Sequence, residues 1–364
     1  MLPLYIYIIA CLVAFIVAVV STPLVKKLAI QIGAIDSPEK RKVHEKIMPR
    51  LGGLAIVFGF IAGILIIRPQ SQFLLPIMLG ALIIVILGIL DDKYTLRANA
   101  KLFGQILAAS VVVFSGLKIE MINLPFTGEI YFGIWSYPFT ILWIVGITNA
   151  INLIDGLDGL AAGVSSIALT SILIMAVLDG QLLAIALSVV LIGSTLGFLV
   201  HNFYPAKIFM GDTGSLFLGY LISVISITGL FKNLTFISLV IPVIILAIPI
   251  FDTLFAIIRR IINRQKISAP DKKHLHYCLL EMGFSHRKTV LVIYAVSAFF
   301  GISAIIFSTT AQWLSVFIIL FLLFVIQISA EFVGIMDNKK KPLINFISKV
   351  KKLNTVRGEP KYKR

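Results

Sequence analysis

The stretch Leu182–Val200, LLAIALSVVLIGSTLGFLV, carries no charged residue and is followed by the polar segment His201–Ser215, HNFYPAKIFMGDTGS. A helix that crosses a membrane needs about 20 apolar residues, and this stretch meets that requirement. The whole chain has the same character, since 59% of its 364 residues are hydrophobic and 13% are charged. Soluble domains carry about 25% charged residues. The composition therefore excludes an ordinary soluble enzyme, a disordered protein and a disulfide scaffold.

Ten further stretches are similarly apolar, so the sequence predicts an all-α polytopic membrane protein with about eleven transmembrane helices. In chain order the predicted spans are Leu2–Val25, Leu54–Ile67, Phe73–Leu90, Leu102–Leu117, Tyr137–Ile154, Leu160–Val177, Leu182–Val200, Leu216–Phe231, Leu234–Ile258, Val290–Phe307 and Trp313–Ile335.

Lys and Arg residues are concentrated in alternate connections between these spans. The connections Lys26–Arg50 and Arg259–Lys288 are rich in positive charge, whereas those containing Lys118 and Lys232 are nearly free of it. Cytoplasmic connections are the basic ones in membrane proteins. We therefore predict that the N-terminus lies outside and the C-terminus in the cytoplasm.

We expect a single transmembrane domain over residues 1–336 and a basic cytoplasmic tail over residues 337–364. The charge of the tail favours contact with anionic lipids, and nucleic-acid binding is not needed to explain it. The outer connection Lys118–Trp135 alternates polar and apolar residues. This pattern predicts a short external β-hairpin with its turn at Phe126–Gly128.

Two adjacent carboxylates, Asp91 and Asp92, stand at the inner end of the third predicted span. Adjacent helical side chains point about 100° apart, so one carboxylate can face a metal while the other faces a substrate. The alternative is a solvated helix end with Lys93 as the counter-charge.

Asn152, Asp155 and Asp158 recur at every third position of the segment Asn149–Gly159. A continuous helix would align them in one polar stripe. The glycines of this segment instead favour a broken helix or a tight turn. An aspartate that caps the sixth span is the structural alternative, but capping needs only one such residue.

Asp212 lies between two glycines just before the eighth predicted span. Two roles fit this position, a helix cap and a ligand for a hard cation.

The long inner connection carries Arg260, His274 and His276, and a short helix is predicted around His274–Met282. The two histidines do not share a helical face, and a zinc site would need further Cys or His ligands. These side chains more readily bind phosphate or a sugar.

The aspartates of these segments converge on the predicted cytoplasmic side, together with basic residues. Mg²⁺ takes one or two carboxylates and completes its shell with water and phosphate, so this set suits Mg²⁺ and a phosphate-bearing substrate; Mn²⁺ is the alternative metal. The sequence contains no Gly-x-x-x-x-Gly-Lys-Ser/Thr loop, which argues against a P-loop ATPase.

Leu90–Lys93, Asn149–Gly159, Asn202–Ser215 and His274–His276 occur in the order and on the membrane side seen in one enzyme family. Through them the chain, from Leu24 to Ala330, resembles the polyprenyl-phosphate N-acetylhexosamine-1-phosphate transferases. The resemblance implies a multi-pass enzyme of the bacterial cytoplasmic membrane with its active site on the cytoplasmic face. A homodimer remains open.

The resemblance also implies a reaction. A phosphate oxygen of undecaprenyl phosphate attacks the β-phosphorus of UDP-GlcNAc, UMP leaves, and undecaprenyl-diphospho-GlcNAc is formed. This is the first membrane step of a cell-surface glycopolymer such as wall teichoic acid or O-antigen. Because one phosphoanhydride replaces another, catalysis is mainly positioning and charge neutralisation.

Residue roles follow from the same resemblance. Asp212 is expected to bind Mg²⁺, Asp91 to deprotonate or orient the lipid phosphate, and Asp92 to support the metal site. Asn152, Asp155 and Asp158 match the uridine-binding and metal-proximal segment of the family. The remaining expected substrate contacts are Phe209 with the uracil, Asn202 with phosphate or metal, Arg260, His274 and His276 with the sugar and diphosphate, and Lys46 and Arg50 with nucleotide phosphate.

Two alternative functions are compatible with parts of the sequence. The branch that transfers phospho-MurNAc-pentapeptide typically has three consecutive histidines, whereas Tyr277 follows His276 here; Pro49–Gly53 also looks more like the GlcNAc branch. An ion-coupled transporter would use acids at helix ends and glycine-broken helices. Such acids usually lie near the bilayer midplane, whereas these cluster at one face.

Overall fold

The computed structural model describes residues 2–36, 47–124, 128–230, 240–266, 271, 273–309, 317, 320–327 and 331. Within them the chain is almost entirely helical, with two short antiparallel ribbons. Lys46, most of the predicted eleventh span, the predicted turn residues Phe126 and Thr127 and the tail over residues 337–364 lie outside the described residues.

Twelve helices and four strands make up the described part of the chain. The helices are α1 Leu4–Ile32, α2 Gly53–Ile67, α3 Leu74–Tyr94, α4 Ala98–Phe114, α5 Ser136–Ile154, α6 Leu160–Leu178, α7 Leu182–Asn202, α8 Gly211–Leu230, α9 Val240–Ile245, α10 Ala247–Ile262, α11 Leu275–Glu281 and α12 His286–Thr309. The strands are β1 Ile35–Asp36, paired with β2 Met48–Pro49, and β3 Met121–Leu124, paired with β4 Gly128–Tyr131.

Seven helices among the described residues are long and apolar enough to cross a membrane: α1, α3, α5 with the 3-10 turn before it, α6, α7, α8 and α12. Helices α2 and α4 are apolar but have 15 and 17 residues, in line with the short second and fourth predicted spans. The β3–β4 ribbon forms at the predicted hairpin, and α11 at the predicted short helix.

The predicted ninth span, Leu234–Ile258, is not one continuous helix where the structure describes it. Helix α9 ends at Ile245 and α10 begins at Ala247. Pro249 has no backbone N–H to donate to the carbonyl of Ile245, and a proline ring crowds the carbonyl four residues earlier. The break follows from this proline, which the apolar pattern does not reveal.

Helix α8 lies at the centre of the bundle, with 89% of its most apolar 18-residue window buried. Small residues let its neighbours approach to backbone contact. A Cβ at Gly88 of α3 would lie 2.4 Å from the Cα of Thr213, and one at Gly219 of α8 would lie 2.7 Å from the Cα of Thr148 in α5. Such glycines are typical of helix interfaces inside membranes, where close packing drives association.

The segment before α2 runs alongside the segment before α8. Gly52 donates its N–H to the carbonyl of Phe209 at 3.0 Å, and Gly53 donates to Met210 at 2.8 Å. A Cβ at Gly53 would lie 2.1 Å from the nitrogen of Gly214, so only glycine permits this approach. The Pro49–Gly53 motif therefore attaches the N-terminal part of the chain to the start of α8.

The contact between α3 and α8 can be tested with Gly88→Ala. The added methyl group overlaps the backbone of Thr213, and forced overpacking costs about 1–3 kcal/mol. We expect a melting temperature in detergent several degrees below that of the native protein. Gly146→Ala is the control, because a Cβ at Gly146 in α5 meets nothing within 4 Å. Equal melting temperatures for the two variants would contradict the close α3–α8 contact.

Candidate active site

A cavity of about 420 Å³ opens where the ends of α5 and α7 meet the starts of α8, α11 and α12. Its volume is within the range of small-molecule sites in proteins. Polar and aromatic side chains dominate its lining, which consists of Asp36, Arg50, Asn152, Asp155, Gly156, Leu157, Asp158, Asn202, Tyr204, Phe209, Met210, Gly211, Asp212, Tyr277 and His286.

The segment with Asp155 and Asp158 is a tight turn between two helices. Helix α5 ends at Ile154 and α6 begins at Leu160, so the single helical stripe is not formed and the alternative of a broken helix is confirmed. Gly159 precedes α6 with φ +76°, a conformation that favours glycine. Asp158 does not cap α6; its Oδ2 accepts the backbone N–H of Ala206 at 2.9 Å.

Asp155 lines the cavity in an environment that disfavours its charged form. Burial raises the pKa of this carboxyl from its usual 3.8 to about 7, with smaller contributions in the same direction from Asp92 and Asp158. The Arg50 guanidinium acts in the opposite direction. A cation bound nearby would therefore favour ionisation of Asp155.

Asp212 stands in the first turn of α8 and contacts two side chains from other helices. Lys101 of α4 donates to its Oδ2 at 2.5 Å, and Asn152 of α5 donates to its Oδ1 at 3.0 Å. Asn152 also donates to Ser215 Oγ at 2.8 Å. Asp212 therefore does not act as a helix cap, which is one of the two roles that fit its position in the sequence.

Asp92 takes the capping role instead. Its carboxylate accepts the backbone N–H groups of Asp212 at 2.8 Å and Thr213 at 3.0 Å, and the Thr213 hydroxyl at 2.6 Å. A carboxylate from α3 thus satisfies the free N–H groups at the start of α8 and complements the positive end of its dipole.

Asp91 faces away from Asp92 and pairs with Lys101 at 2.6 Å. Its other oxygen accepts the backbone N–H of Leu96 at 2.6 Å. Both aspartates are buried, with 5% and 4% exposure, so the alternative of a solvated helix end is wrong. The Lys101 ammonium therefore pairs with two carboxylates. Asp212 lines the cavity, whereas Asp91 is not among the described residues that line it.

Arg50, Phe209 and Asn202, three of the expected substrate contacts, all line the cavity, and their roles stay predictions. Arg50 lies 3.9 Å from carboxylate oxygens of both Asp36 and Asp92. The amide of Asn202 is engaged with the backbone, because Oδ1 accepts the N–H of Gly159 at 3.1 Å and Nδ2 donates to the carbonyl of Ile208 at 3.0 Å. In this structure Asn202 joins two loops.

Arg260, His274 and His276 are buried and are not among the described residues that line the cavity. His274 Nδ1 lies 2.8 Å from Asp252 Oδ2, and Asp252 Oδ1 accepts the N–H of Leu275 at 2.8 Å. Burial lowers the pKa of His276 to about 4, so this ring is neutral at pH 7. Tyr277, the next residue, does reach the cavity.

Lys101, Tyr204 and His286 belong to the site but were not predicted as site residues. In the sequence, Lys101 is one of three basic residues, with Lys93 and Arg97, between the third and fourth predicted spans. The sequence does carry a signal for Lys101. Two consecutive helices joined by a short connection form a hairpin, so the residues beside that connection lie close together in space. That hairpin brings the start of α4 back beside the end of α3.

The environment of Asp155 predicts a pH-dependent stability. The folded protein holds the proton on Asp155 more tightly than the unfolded chain does, so this contribution is lost as the pH rises from about 4 to about 7. In EDTA, the melting temperature of Asp155→Asn minus that of the native protein should increase by on the order of 2–5 °C between pH 5 and pH 8. Glu281→Gln, at an exposed position, is the control. A difference that stays flat or reverses with pH would refute the assigned environment.

Comparison with known proteins identifies the family of this chain. The family model described as "Glycosyl transferase family 4" matches residues 74–230. A probable undecaprenyl-phosphate N-acetylglucosaminyl 1-phosphate transferase of Bacillus subtilis is 54% identical over 95% of this chain and 98% of its own length. A decaprenyl-phosphate N-acetylglucosaminephosphotransferase of Mycobacterium leprae is 37% identical over 82% of this chain and 83% of its own length.

A third relative is the undecaprenyl-phosphate alpha-N-acetylglucosaminyl 1-phosphate transferase of Yersinia pestis. It is 27% identical over 82% of this chain and 85% of its own length. The apolar helices and these relatives together indicate a membrane protein. The resemblance seen in the sequence motifs is confirmed: the chain belongs to glycosyl transferase family 4.

Proposed function

We propose that this protein transfers GlcNAc-1-phosphate from UDP-GlcNAc to undecaprenyl phosphate, with release of UMP. The product, undecaprenyl-diphospho-GlcNAc, would begin a cell-surface glycopolymer such as wall teichoic acid or O-antigen. The observation that carries the proposal is the arrangement of two basic side chains beside carboxylates that line the cavity, Lys101 beside Asp212 and Arg50 beside Asp36. The names of the relatives support the choice of donor and acceptor.

Charge neutralisation is the main task that the reaction sets. An oxygen of the lipid phosphate forms a bond to the β-phosphorus, and the bond from that phosphorus to the oxygen of UMP breaks. Both reactants are anionic, so cations at the reacting groups lower the barrier. Lys101 and Arg50 are the basic side chains we assign to this role.

Asp91 serves this reaction through Lys101. It is buried, pairs with the Lys101 ammonium at 2.6 Å and is not among the described lining residues of the cavity. A phosphate monoester has a second pKa of about 6 and is already largely ionised at pH 7. The lipid phosphate therefore needs orientation more than deprotonation, and Asp91 holds the cation that orients it.

The donor set of the cavity fits a magnesium ion. Among the described residues no group of three or more His, Cys, Asp or Glu side chains is arranged to hold a metal alone. Mg²⁺ does not need such a group, since it commonly binds one or two carboxylates and fills its shell with water and substrate phosphate. We assign Asp212 as its main ligand, with Asp155 and Asp158 nearby and Mn²⁺ as the alternative ion. When bound, the ion would withdraw charge from the transferring phosphate.

The cavity is proposed to face the cytoplasm. Lys93, Arg97, Lys101 and Lys207 all lie at the helix ends around it, and positive charge marks the cytoplasmic side. The β3–β4 ribbon connects the far ends of α4 and α5, which places it on the external side in this orientation. Eleven spans, a catalytic domain over residues 1–336 and a tail over 337–364 that contacts anionic lipid complete the proposed topology.

UMP release tests the proposal directly. Purified protein in detergent receives undecaprenyl phosphate and Mg²⁺, with UDP-GlcNAc or UDP-MurNAc-pentapeptide as donor. Release from UDP-GlcNAc alone, abolished by EDTA, is the expected result. Release only from the pentapeptide donor would overturn the donor assignment, and no release from either would overturn the proposed function.

Asp212→Asn should abolish this release without unfolding the protein, because Asn keeps the shape of the side chain and an acceptor for Asn152. We expect turnover to fall at least 100-fold and the melting temperature to change by only a few degrees. Asp179→Asn is the matched control and should retain native turnover, because Asp179 follows the end of α6 that lies away from the cavity. Native turnover in Asp212→Asn would refute its role.

Lys101 can be separated from general charge balance by two variants. Lys101→Met leaves Asp91 and Asp212 uncompensated, so both stability and turnover should fall, turnover by about 10²–10³-fold. Adding Asp91→Asn to Lys101→Met restores the charge balance and should recover melting temperature but not turnover. Recovery of turnover in the double variant would show that Lys101 has only a structural role.

A further inference from the structure

Helix α12 lies outside the residues matched by the family model, yet it contacts the loop Asp155–Gly159 through two side chains. His286 Nε2 lies 3.0 Å from the backbone nitrogen of Asp158, and the Tyr294 hydroxyl donates to the carbonyl of Gly159 at 2.5 Å. The two contacts therefore hold adjacent residues of the loop.

The geometry of these contacts assigns the donors and acceptors. A backbone N–H only donates, so Nε2 of His286 accepts and the ring proton of the neutral form is on Nδ1. Tyr294 lies about two turns after His286 on α12. Side chains on a helix lean toward its N-terminus, so the Tyr294 side chain extends back toward the loop that His286 contacts. The His286 ring also stacks on Tyr204, with 4.4 Å between ring centroids, and this contact fixes its orientation.

The loop needs such support. It contains Gly156 and Gly159, and glycine gives the backbone more freedom than any other residue. Its own hydrogen bonds are short-range, for example from Gly156 N–H to the Ile154 carbonyl at 2.8 Å. Asn202 holds the loop from α7 through the N–H of Gly159, and Ala206 donates to the Asp158 carboxylate. Helix α12 adds contacts on the Asp158 N–H and on the Gly159 carbonyl, which also accepts the N–H of Gly163.

We propose that His286 and Tyr294 are positioning residues of the transfer reaction, which hold the α5–α6 loop so that Asp155 and Asp158 face the cavity. The inference rests on the proposed function for its kinetic consequences, and on the hydrogen bonds alone for its structural ones. Helix α12 is thus part of the active site, although no acidic or basic group of the reaction comes from it.

Four variants test the proposal. His286→Leu removes the acceptor, His286→Gln keeps an acceptor near the position of Nε2, and Tyr294→Phe removes only the hydroxyl. Tyr220→Phe is the control, because the Tyr220 hydroxyl of α8 also donates to a backbone carbonyl, that of Ile77 in α3. Its loss should lower stability without affecting the loop.

The kinetic expectation is a fall in kcat with little change in KM for UDP-GlcNAc. A displacement of about 1 Å at catalytic groups costs up to about 100-fold, so we expect about 10–100-fold for His286→Leu and less for Tyr294→Phe. His286→Gln should recover most of the loss. The fold-loss of kcat in the double variant His286→Leu/Tyr294→Phe should be smaller than the product of the two single fold-losses, because both residues act on one loop.

Hydrogen–deuterium exchange gives a readout that does not depend on turnover. Amides of residues 155–160 should exchange faster in His286→Leu and Tyr294→Phe than in the native protein and Tyr220→Phe. Native exchange and native kcat in both variants would overturn the proposal. A rise in KM alone, without recovery in His286→Gln, would also overturn it and indicate direct substrate contact. Absence of turnover in the native protein with both donors would count against the proposed function, while the exchange result still tests the positioning role.

Discussion

The carboxylate of Asp92 at the start of α8 is the interaction on which the rest of the site depends. Helix α8 is the central and most buried span, and its first N–H groups lie inside the protein, where they need acceptors. Asp92 supplies both oxygens from α3. This fixes where α8 begins, and therefore where Asp212 in its first turn points.

Close backbone packing makes that interaction geometrically accessible. Gly88 lies one turn before Asp92 on the same face of α3, and it allows α3 to touch the backbone at Thr213. Gly53 allows the start of α2 to reach Gly214 in the same way. Helices that meet through glycines bring acidic and basic groups from α3, α4 and α8 to one point. Lys101 then joins Asp91 and Asp212 across that point.

The sequence predicted most of the helices and the composition of the site, but not the division of labour within it. Continuous apolar runs predict spans because only a helix satisfies its own backbone in lipid. Which aspartate caps α8 depends on an interhelical contact, and sequence spacing cannot distinguish Asp92 from Asp212. The burial of His274 and His276 and the position of His286 at the cavity likewise depend on how α10, α11 and α12 pack. The sequence does not single out Lys101 as a site residue, because a lysine at the inner end of a span is already expected from the excess of positive charge on the cytoplasmic side.

The central claim is that Asp212 does the chemistry of the site while Asp92 positions it. Binding of Mn²⁺, measured by electron paramagnetic resonance together with the melting temperature of each variant, tests this most directly. Asp212→Asn should lose Mn²⁺ binding at a nearly native melting temperature, whereas Asp92→Asn should lower the melting temperature because α8 loses part of its cap. Loss of Mn²⁺ binding in Asp92→Asn at a native melting temperature would contradict the claim and make Asp92 a metal ligand.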